Sequence, residues 1–122
     1  EIHVSAISNL DDSFIALGFP YATEEYKPMA NHLVNTLYGN VAGLRLMGAA
    51  AVELCYIAAG RFEARIEAFI GPWDIAAGTI ILQNAGGMIT DFKGGDSYSS
   101  GSQVLASNGR IHRDLLNIID NL

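Results

Sequence analysis

The spacing of apolar positions divides the chain into short strands and amphipathic helices. Short apolar runs at 2–5, 13–19 and 41–46 predict strands, and 88–92 and 103–106 predict two more. Apolar residues recur at helical spacing from Met29 to Leu37, which predicts a helix over 23–38 with Thr23 as its N-cap. Further helices are predicted over 73–84 and from Ser107 or Asn108 to the C-terminus.

The middle of the chain contains two neighbouring segments with opposite patterns. The stretch AAAVELCYIAA after Gly48 is apolar on nearly all sides apart from Glu53, which predicts a buried helix. Gly60 lies where a helix commonly ends. From Arg61 to Glu67 charged and apolar residues alternate strictly, which predicts a strand with one buried face.

This order of elements predicts the fold class. Strands alternate with helices along the chain, so we expect an α/β fold with a mostly parallel sheet and helices on both faces. No internal repeat or long linker interrupts the pattern. With 122 residues, the chain is long enough to bury a core, and residues 1–122 are predicted to form a single domain.

Composition and charge narrow the classes of function. Hydrophobic residues make up 50% of the chain and charged residues only 16%, which indicates that a partner chain or another half of the protein covers part of the surface. The seven Lys and Arg are scattered and the net charge is −6, so binding of nucleic acid is not expected. No apolar run is long enough to span a membrane, and we expect no membrane partner. The single cysteine, Cys55, favours a reducing, cytoplasmic setting.

The candidate chemistry consists of carboxylates beside turns and helix starts. The sequence has no GxxxxGK[ST], GxGxxG or GxSxG motif, and its three histidines lie in different predicted elements. Glu67 closes the alternating strand, and Asp74 lies in the first turn of the next predicted helix, where α/β folds place ligands. Each also has a structural explanation, because Asp is stabilised at helix starts and a strand-end Glu is commonly solvated. The helix start at Gly48, Ala49 and Ala50 offers free N–H groups, although small residues also permit close packing.

Three pieces of the stretch from Arg45 to Gly95 resemble the C-terminal half of the inositol monophosphatase family. They are the small-residue helix start before LCYIAAGR, the acidic residue that closes the following strand, and PWDIAAG followed by NAGGMITDF. The GFPY and QVLASN segments also match. The resemblance covers nearly the whole chain and implies the C-terminal domain of the sugar phosphatase fold.

The resemblance also implies an activity and the residues that serve it. Members of the family hydrolyse phosphate monoesters of small polyols with Mg²⁺, and many are inhibited by lithium. Asp74 matches a metal-ligating and substrate-binding aspartate, and Glu67 matches a glutamate that binds substrate hydroxyls. Gly48, Ala49 and Ala50 match the helix start that holds the inositol ring. The family often has Ser or Thr at the position of Ala49, so only a backbone contact is expected there.

A second implication is that the site is incomplete within this chain. The family builds most of its metal site, and the water-activating residues, from an upstream glutamate and a DP[IL]DGT motif that this sequence lacks. We therefore expect no catalytic residue here, a missing N-terminal half as partner, and a homodimer in the cytoplasm. Fructose-1,6-bisphosphatase and 3′(2′),5′-bisphosphate nucleotidase remain alternatives, with Arg61, Arg65 or Lys93 as candidate contacts to a second phosphate. A non-catalytic interface module is the third alternative.

Overall fold

A computed structural model of the chain describes residues 1–19, 24–68, 72–100 and 103–121, with the backbone alone for 72–74 and 100. The predicted N-cap Thr23 therefore lies outside the described residues. Five strands and four α-helices are described, namely β1 (Phe14–Gly18), α1 (Lys27–Leu37), β2 (Gly43–Arg45), α2 (Ala50–Ala58), β3 (Ala64–Glu67), α3 (Pro72–Asn84), β4 (Met88–Thr90), β5 (Val104–Ser107) and α4 (His112–Asp120). Short 3₁₀ turns lie at Leu10–Asp12, Glu24–Tyr26 and Ser97–Ser100.

The five strands form one mixed sheet in the order β2-β1-β3-β5-β4. β1 pairs in parallel with both β2 and β3, whereas β5 pairs antiparallel with both β3 and β4. The predicted α/β class is confirmed, but the sheet is mixed and not mostly parallel. The reason lies in β5, which runs against β3 and β4, and strand direction is not encoded in the local pattern of apolar residues.

Helices cover both faces of the sheet, as the sequence predicts. On one face, Leu33 and Leu37 of α1 and Leu115 and Ile119 of α4 pack against apolar side chains of β1, β3 and β5. On the other face, α2 and α3 pack against Val104, Ala106 and Ile89 of β5 and β4. Because both faces are covered, side chains of either parity along a central strand become buried.

This double cover corrects the prediction that β3 has only one buried face. All four residues from Ala64 to Glu67 are buried, including Arg65 and Glu67. The alternation of charged and apolar residues therefore does not separate a solvent face from a core face. Arg61 and Phe62 precede the strand, and the Arg61 guanidinium lies 5.7 Å from the centre of the Tyr56 ring.

The N-terminal segment is not the strand that its apolar residues predict. Ile2 to Ser5 lies outside the sheet, and the Val4 N–H donates to the carbonyl of Ala85. The side-chain amide of Asn108 donates to the carbonyls of Ser5 and Ile7 at 3.3 and 2.8 Å. These contacts satisfy backbone acceptors that would otherwise need a neighbouring strand.

The start of α4 also differs from the prediction. The sequence predicts Ser107 or Asn108 as the cap of this helix, but the helix begins at His112. The Asn108 side-chain oxygen instead accepts the N–H groups of Arg110 and Ile111 in the preceding turn.

Among the described residues, no helix has the length and apolar content needed to cross a bilayer.

Candidate functional site

The candidate site lies at the edge of the sheet where β1 and β3 end. Gly18 and Glu67, the last residues of these parallel strands, are register partners. The chain enters α2 and α3 after β2 and β3, so both helices begin on this side of the sheet. The carboxyl ends of parallel strands, together with helix starts, are the common ligand-binding edge of α/β folds.

A cluster of three charged side chains is buried at this edge. Glu53 of α2 and Arg65 and Glu67 of β3 are 0%, 2% and 7% exposed, and we call them the buried charge cluster. Arg65 Nε donates to Glu53 Oε1 at 2.5 Å, and Arg65 Nη2 donates to Glu67 Oε1. Arg65 Nη1 is buried without a hydrogen-bond partner among the described residues. The two carboxylates therefore fix the orientation of the guanidinium.

The same cluster reaches the start of α2. Gly48 has a φ of +70°, which a glycine adopts without strain, and Ala49 is the N-cap residue. The second carboxylate oxygen of Glu53 accepts the Ala49 N–H at 3.3 Å. Glu53 therefore satisfies a backbone donor that a helix start leaves without an intrahelical partner. Gly48 is exposed, and Ala49 and Ala50 are half-buried.

Gly18 is required at the end of β1 because the Glu67 carboxylate lies directly against its Cα. A Cβ built on Gly18 would lie 2.7 Å from both Cδ and Oε2 of Glu67. This distance is shorter than any normal contact between such atoms. The position of the carboxylate is thus defined by Arg65 on one side and by the β1 backbone on the other.

The structure places the predicted site residues as follows. Glu67 and the Ala49 N–H are linked through Glu53 and Arg65, although neither link was anticipated. The alternative that Glu67 is a solvated strand residue is wrong, because Glu67 is buried. Asp74 lies in the first turn of α3, and its side chain lies outside the described atoms. The roles of Asp74, Glu67 and the helix start as ligands remain predictions.

Sequence reasoning missed Glu53 as part of the site, and it named Arg65 only as a candidate contact to a second phosphate. The signal for Glu53 was available, since it is the only charge in an otherwise apolar helix and a fully buried carboxylate needs a partner. The partner itself was not predictable from spacing. Arg65 is twelve residues further along and on another element.

Of the three candidate contacts to a second phosphate, Arg61 and Lys93 lie outside this cluster. Arg61 is exposed on the Tyr56 ring, and Arg65 is engaged by two carboxylates. Lys93 lines a separate open groove of about 900 Å³ between the end of β4 and α4, with Arg113, Leu116 and Asn117. No member of the buried charge cluster lines that groove.

His112, at the wall of the groove, is held by two hydroxyl groups. Ser107 Oγ lies 2.7 Å from Nδ1, and Thr90 Oγ1 lies 2.8 Å from Nε2. The Thr90 hydroxyl donates to the Asp91 carbonyl, so it accepts from Nε2–H, and Ser107 is left to donate to Nδ1. Burial, and then the charge of Arg113, lowers the pKa of His112 to about 4. The ring is therefore neutral in this network.

The described residues do not form a metal site by themselves. No group of three or more His, Cys, Asp or Glu side chains comes together in the parts of the chain that the structure describes. Glu67 is already in contact with a guanidinium, which is a poor setting for a cation. Mg²⁺ prefers about six oxygen ligands, so a metal at this edge would need carboxylates from outside the described residues.

Comparison with known proteins shows that one family matches the whole chain. A sequence model of the inositol monophosphatase family matches residues 1–122. The Nus factor SuhB of Pasteurella multocida is 40% identical over 111 residues, which is 91% of this chain and 42% of that protein. The chain thus spans about half the length of the curated relatives it matches.

Solved structures of similar proteins share the fold of this chain. The extragenic suppressor protein suhB from Bartonella henselae superposes with a TM-score of 0.90 at 32% identity, covering 97% of this chain and 45% of that one. SaIMPase-II with bound inositol monophosphate gives a TM-score of 0.81 at 25% identity, covering 98% and 47%. The same protein with bound 2′AMP gives 0.79 at 25%, covering 95% and 44%.

Proposed function

The chain belongs to the inositol monophosphatase family, and from this premise we propose that it is the substrate-side, C-terminal domain of a Mg²⁺-dependent phosphatase. The proposed reaction is hydrolysis of a phosphate monoester of a small polyol such as inositol 1-phosphate. The observation that carries the proposal is the carboxylate of Glu67, buried at the ligand edge of the sheet and fixed by Arg65. A related protein, SaIMPase-II, has been solved with inositol monophosphate.

The charge of the site supports a polyol more than a phosphate at Glu67. Two carboxylates and one guanidinium leave the buried charge cluster with one net negative charge. An ionised carboxylate only accepts hydrogen bonds, so it binds hydroxyl donors and repels phosphate. The start of α2, which follows Ala49, adds backbone N–H donors that have no intrahelical partner.

The proposed metal contact in this chain is Asp74, and the other ligands and the residues that activate water come from a separate N-terminal half. Mg²⁺ in such a reaction supplies neutralisation of the phosphate and a more acidic water. The length of the relatives supports the second half, because this chain covers only 42–45% of them. A homodimer, lithium sensitivity and a cytoplasmic location are further parts of the proposal.

The test is release of phosphate from inositol 1-phosphate by the 122-residue chain alone and by the longer protein with its N-terminal half. We expect no activity from the chain alone, and Mg²⁺-dependent activity from the longer protein that falls about 100-fold or more in Asp74→Asn, because a metal ligand is lost. The matched control is Asp114→Asn, since Asp114 also lies in the first turn of a helix.

Two results would contradict the proposal. Activity of the isolated chain that disappears in Asp74→Asn would mean that the site is complete within these residues. Unchanged activity of the longer protein in Asp74→Asn would favour the non-catalytic interface module, a reading in line with relatives that are named Nus factors.

A bisphosphate nucleotidase remains the second candidate activity. The complex of SaIMPase-II with 2′AMP, which carries one phosphate, supports a nucleotide as ligand. The structure offers it limited support, since Arg65 is engaged within the buried charge cluster and Arg61 and Lys93 lie outside that cluster. A substrate panel that includes adenosine 3′,5′-bisphosphate, fructose 1,6-bisphosphate and inositol 1-phosphate distinguishes the three activities.

A further inference from the structure

The buried charge cluster places charges where the fold alone would favour apolar side chains. Arg65 lies at the centre of the sheet, paired with Ala16 of β1 and Ala106 of β5, and Glu53 lies on the helix that packs on this face. Replacing a buried ion pair by well-packed apolar residues is often neutral or stabilising. Stability is therefore a weak reason for these charges.

Their contacts join two parts of the candidate site that are distant in sequence. The Ala49 N–H donates to Glu53, Glu53 accepts from Arg65, and Arg65 donates to Glu67. Because the guanidinium is planar and its donors point in fixed directions, it sets the two carboxylates in one geometry. The start of α2 and the end of β3 are thereby held in a fixed relation.

We infer that Arg65 is a positioning residue, which orients the Glu67 carboxylate and, through Glu53, the start of α2 for the hydroxyl groups of a polyol ligand. This inference rests on the proposed phosphatase function. Arg65 need not touch the reacting phosphate for this role. Its loss should therefore affect recognition of the polyol more than hydrolysis of the phosphate ester itself.

The experiment compares two substrates in the longer protein. Inositol 1-phosphate carries polyol hydroxyls, whereas p-nitrophenyl phosphate has none and reports hydrolysis alone. Arg65→Lys keeps the positive charge but cannot bridge both carboxylates with the same fork of donors. Glu53→Gln keeps the size of the side chain and loses one of its two strong acceptors.

For inositol 1-phosphate we expect both variants to lower kcat/KM about tenfold, mainly through KM, with a change of about twofold or less for p-nitrophenyl phosphate. Glu63→Gln is the matched control, because Glu63 is also buried and its carboxylate accepts the Phe14 N–H at 2.7 Å, away from the cluster. Glu63→Gln should not lower kcat/KM for inositol 1-phosphate more than kcat/KM for p-nitrophenyl phosphate. Equal losses on both substrates, or no loss on either, would overturn the inference.

A second readout does not depend on activity. Hydrogen exchange of the Ala49 and Ala68 amides reports the start of α2 and the end of β3, where Ala68 N–H donates to Gly18. Arg65→Lys should accelerate exchange at both amides, and Glu63→Gln at neither. If the parent hydrolyses neither substrate, the proposed function fails, and the exchange result still decides the inference. Unchanged exchange at both amides in Arg65→Lys would refute it.

Discussion

Gly18→Ala should destabilise the protein because the Glu67 carboxylate occupies the space that a Cβ needs. The added atom would lie 2.7 Å from Glu67 Cδ and Oε2. A free surface glutamate would rotate away at little cost, but this carboxylate is buried and held by Arg65, which is itself held by Glu53. Relief of the clash therefore requires the Arg65–Glu67 contact to be displaced.

The magnitude follows from two opposing contributions. Inserting a methyl group into a packed site costs about 1–3 kcal/mol. Replacing glycine by alanine also restricts the unfolded chain, which returns about 0.4–1 kcal/mol. We expect the free energy of unfolding to fall by about 1–2 kcal/mol, measured by urea denaturation with linear extrapolation.

A double-mutant cycle tests whether the clash with Glu67 is the cause. In a Glu67→Ala background the carboxylate is absent, so Gly18→Ala should become neutral or slightly stabilising, which gives a coupling of about 1–3 kcal/mol. Gly43→Ala is the control, because its added Cβ meets the Phe14 ring at 2.7 Å and not Glu67. Its cost should be the same in both backgrounds. Equal costs of Gly18→Ala in the two backgrounds would refute the reasoning.

Two further predictions concern buried polar groups away from the site. The pKa of His112 is about 4 in the folded protein and 6.5 in the unfolded chain, so protonation of the ring favours unfolding. The stability that the neutral His112 ring contributes is therefore complete above pH 6.5 and is lost as the pH falls towards 4. The loss should reach about 1–3 kcal/mol, and in denaturation curves measured across this range His112→Gln should have a flatter pH dependence than the parent. Thr79 Oγ1 is buried without a partner among the described residues, so Thr79→Val should raise the free energy of unfolding by about 1 kcal/mol. Thr90→Val should lower it, because this hydroxyl bonds both Asp91 and His112. The first prediction would be contradicted if the free energy of unfolding depended on pH in the same way in the parent and in His112→Gln. The second would be contradicted if Thr79→Val lowered the free energy of unfolding.

Local patterns were sufficient to predict most of the elements. The spacing of apolar residues predicted the four helices and five strands of the sheet, since the buried stripe of a helix and the faces of a strand repeat with fixed periods. The same reasoning failed at 2–5, where the Val4 N–H bonds to Ala85 and the Ser5 carbonyl accepts from Asn108, in place of a neighbouring strand. It also placed the start of α4 too early, because Asn108 caps a turn and not the helix.

The sequence alone also determined the family and the positions at which a ligand is expected. The segments around LCYIAAGR, PWDIAAG and NAGGMITDF are contiguous, so no knowledge of the fold was needed to find them. They led to Glu67, Asp74 and the helix start at Gly48, Ala49 and Ala50. The family match over 1–122 agrees with that assignment of family.

Only the tertiary structure decided the direction of β5 and the partners of the charged residues. Strand direction depends on how the chain returns to the sheet, and ion pairs depend on which elements pack together. Neither property can be predicted from the periodic pattern of apolar residues in the sequence. In the sequence, Arg65 and Glu67 follow the pattern of the solvent-exposed face of an alternating strand. In the structure, both are buried, and Glu53 of α2 contacts Arg65. Burial on both faces of the sheet turned a surface pattern into the buried charge cluster.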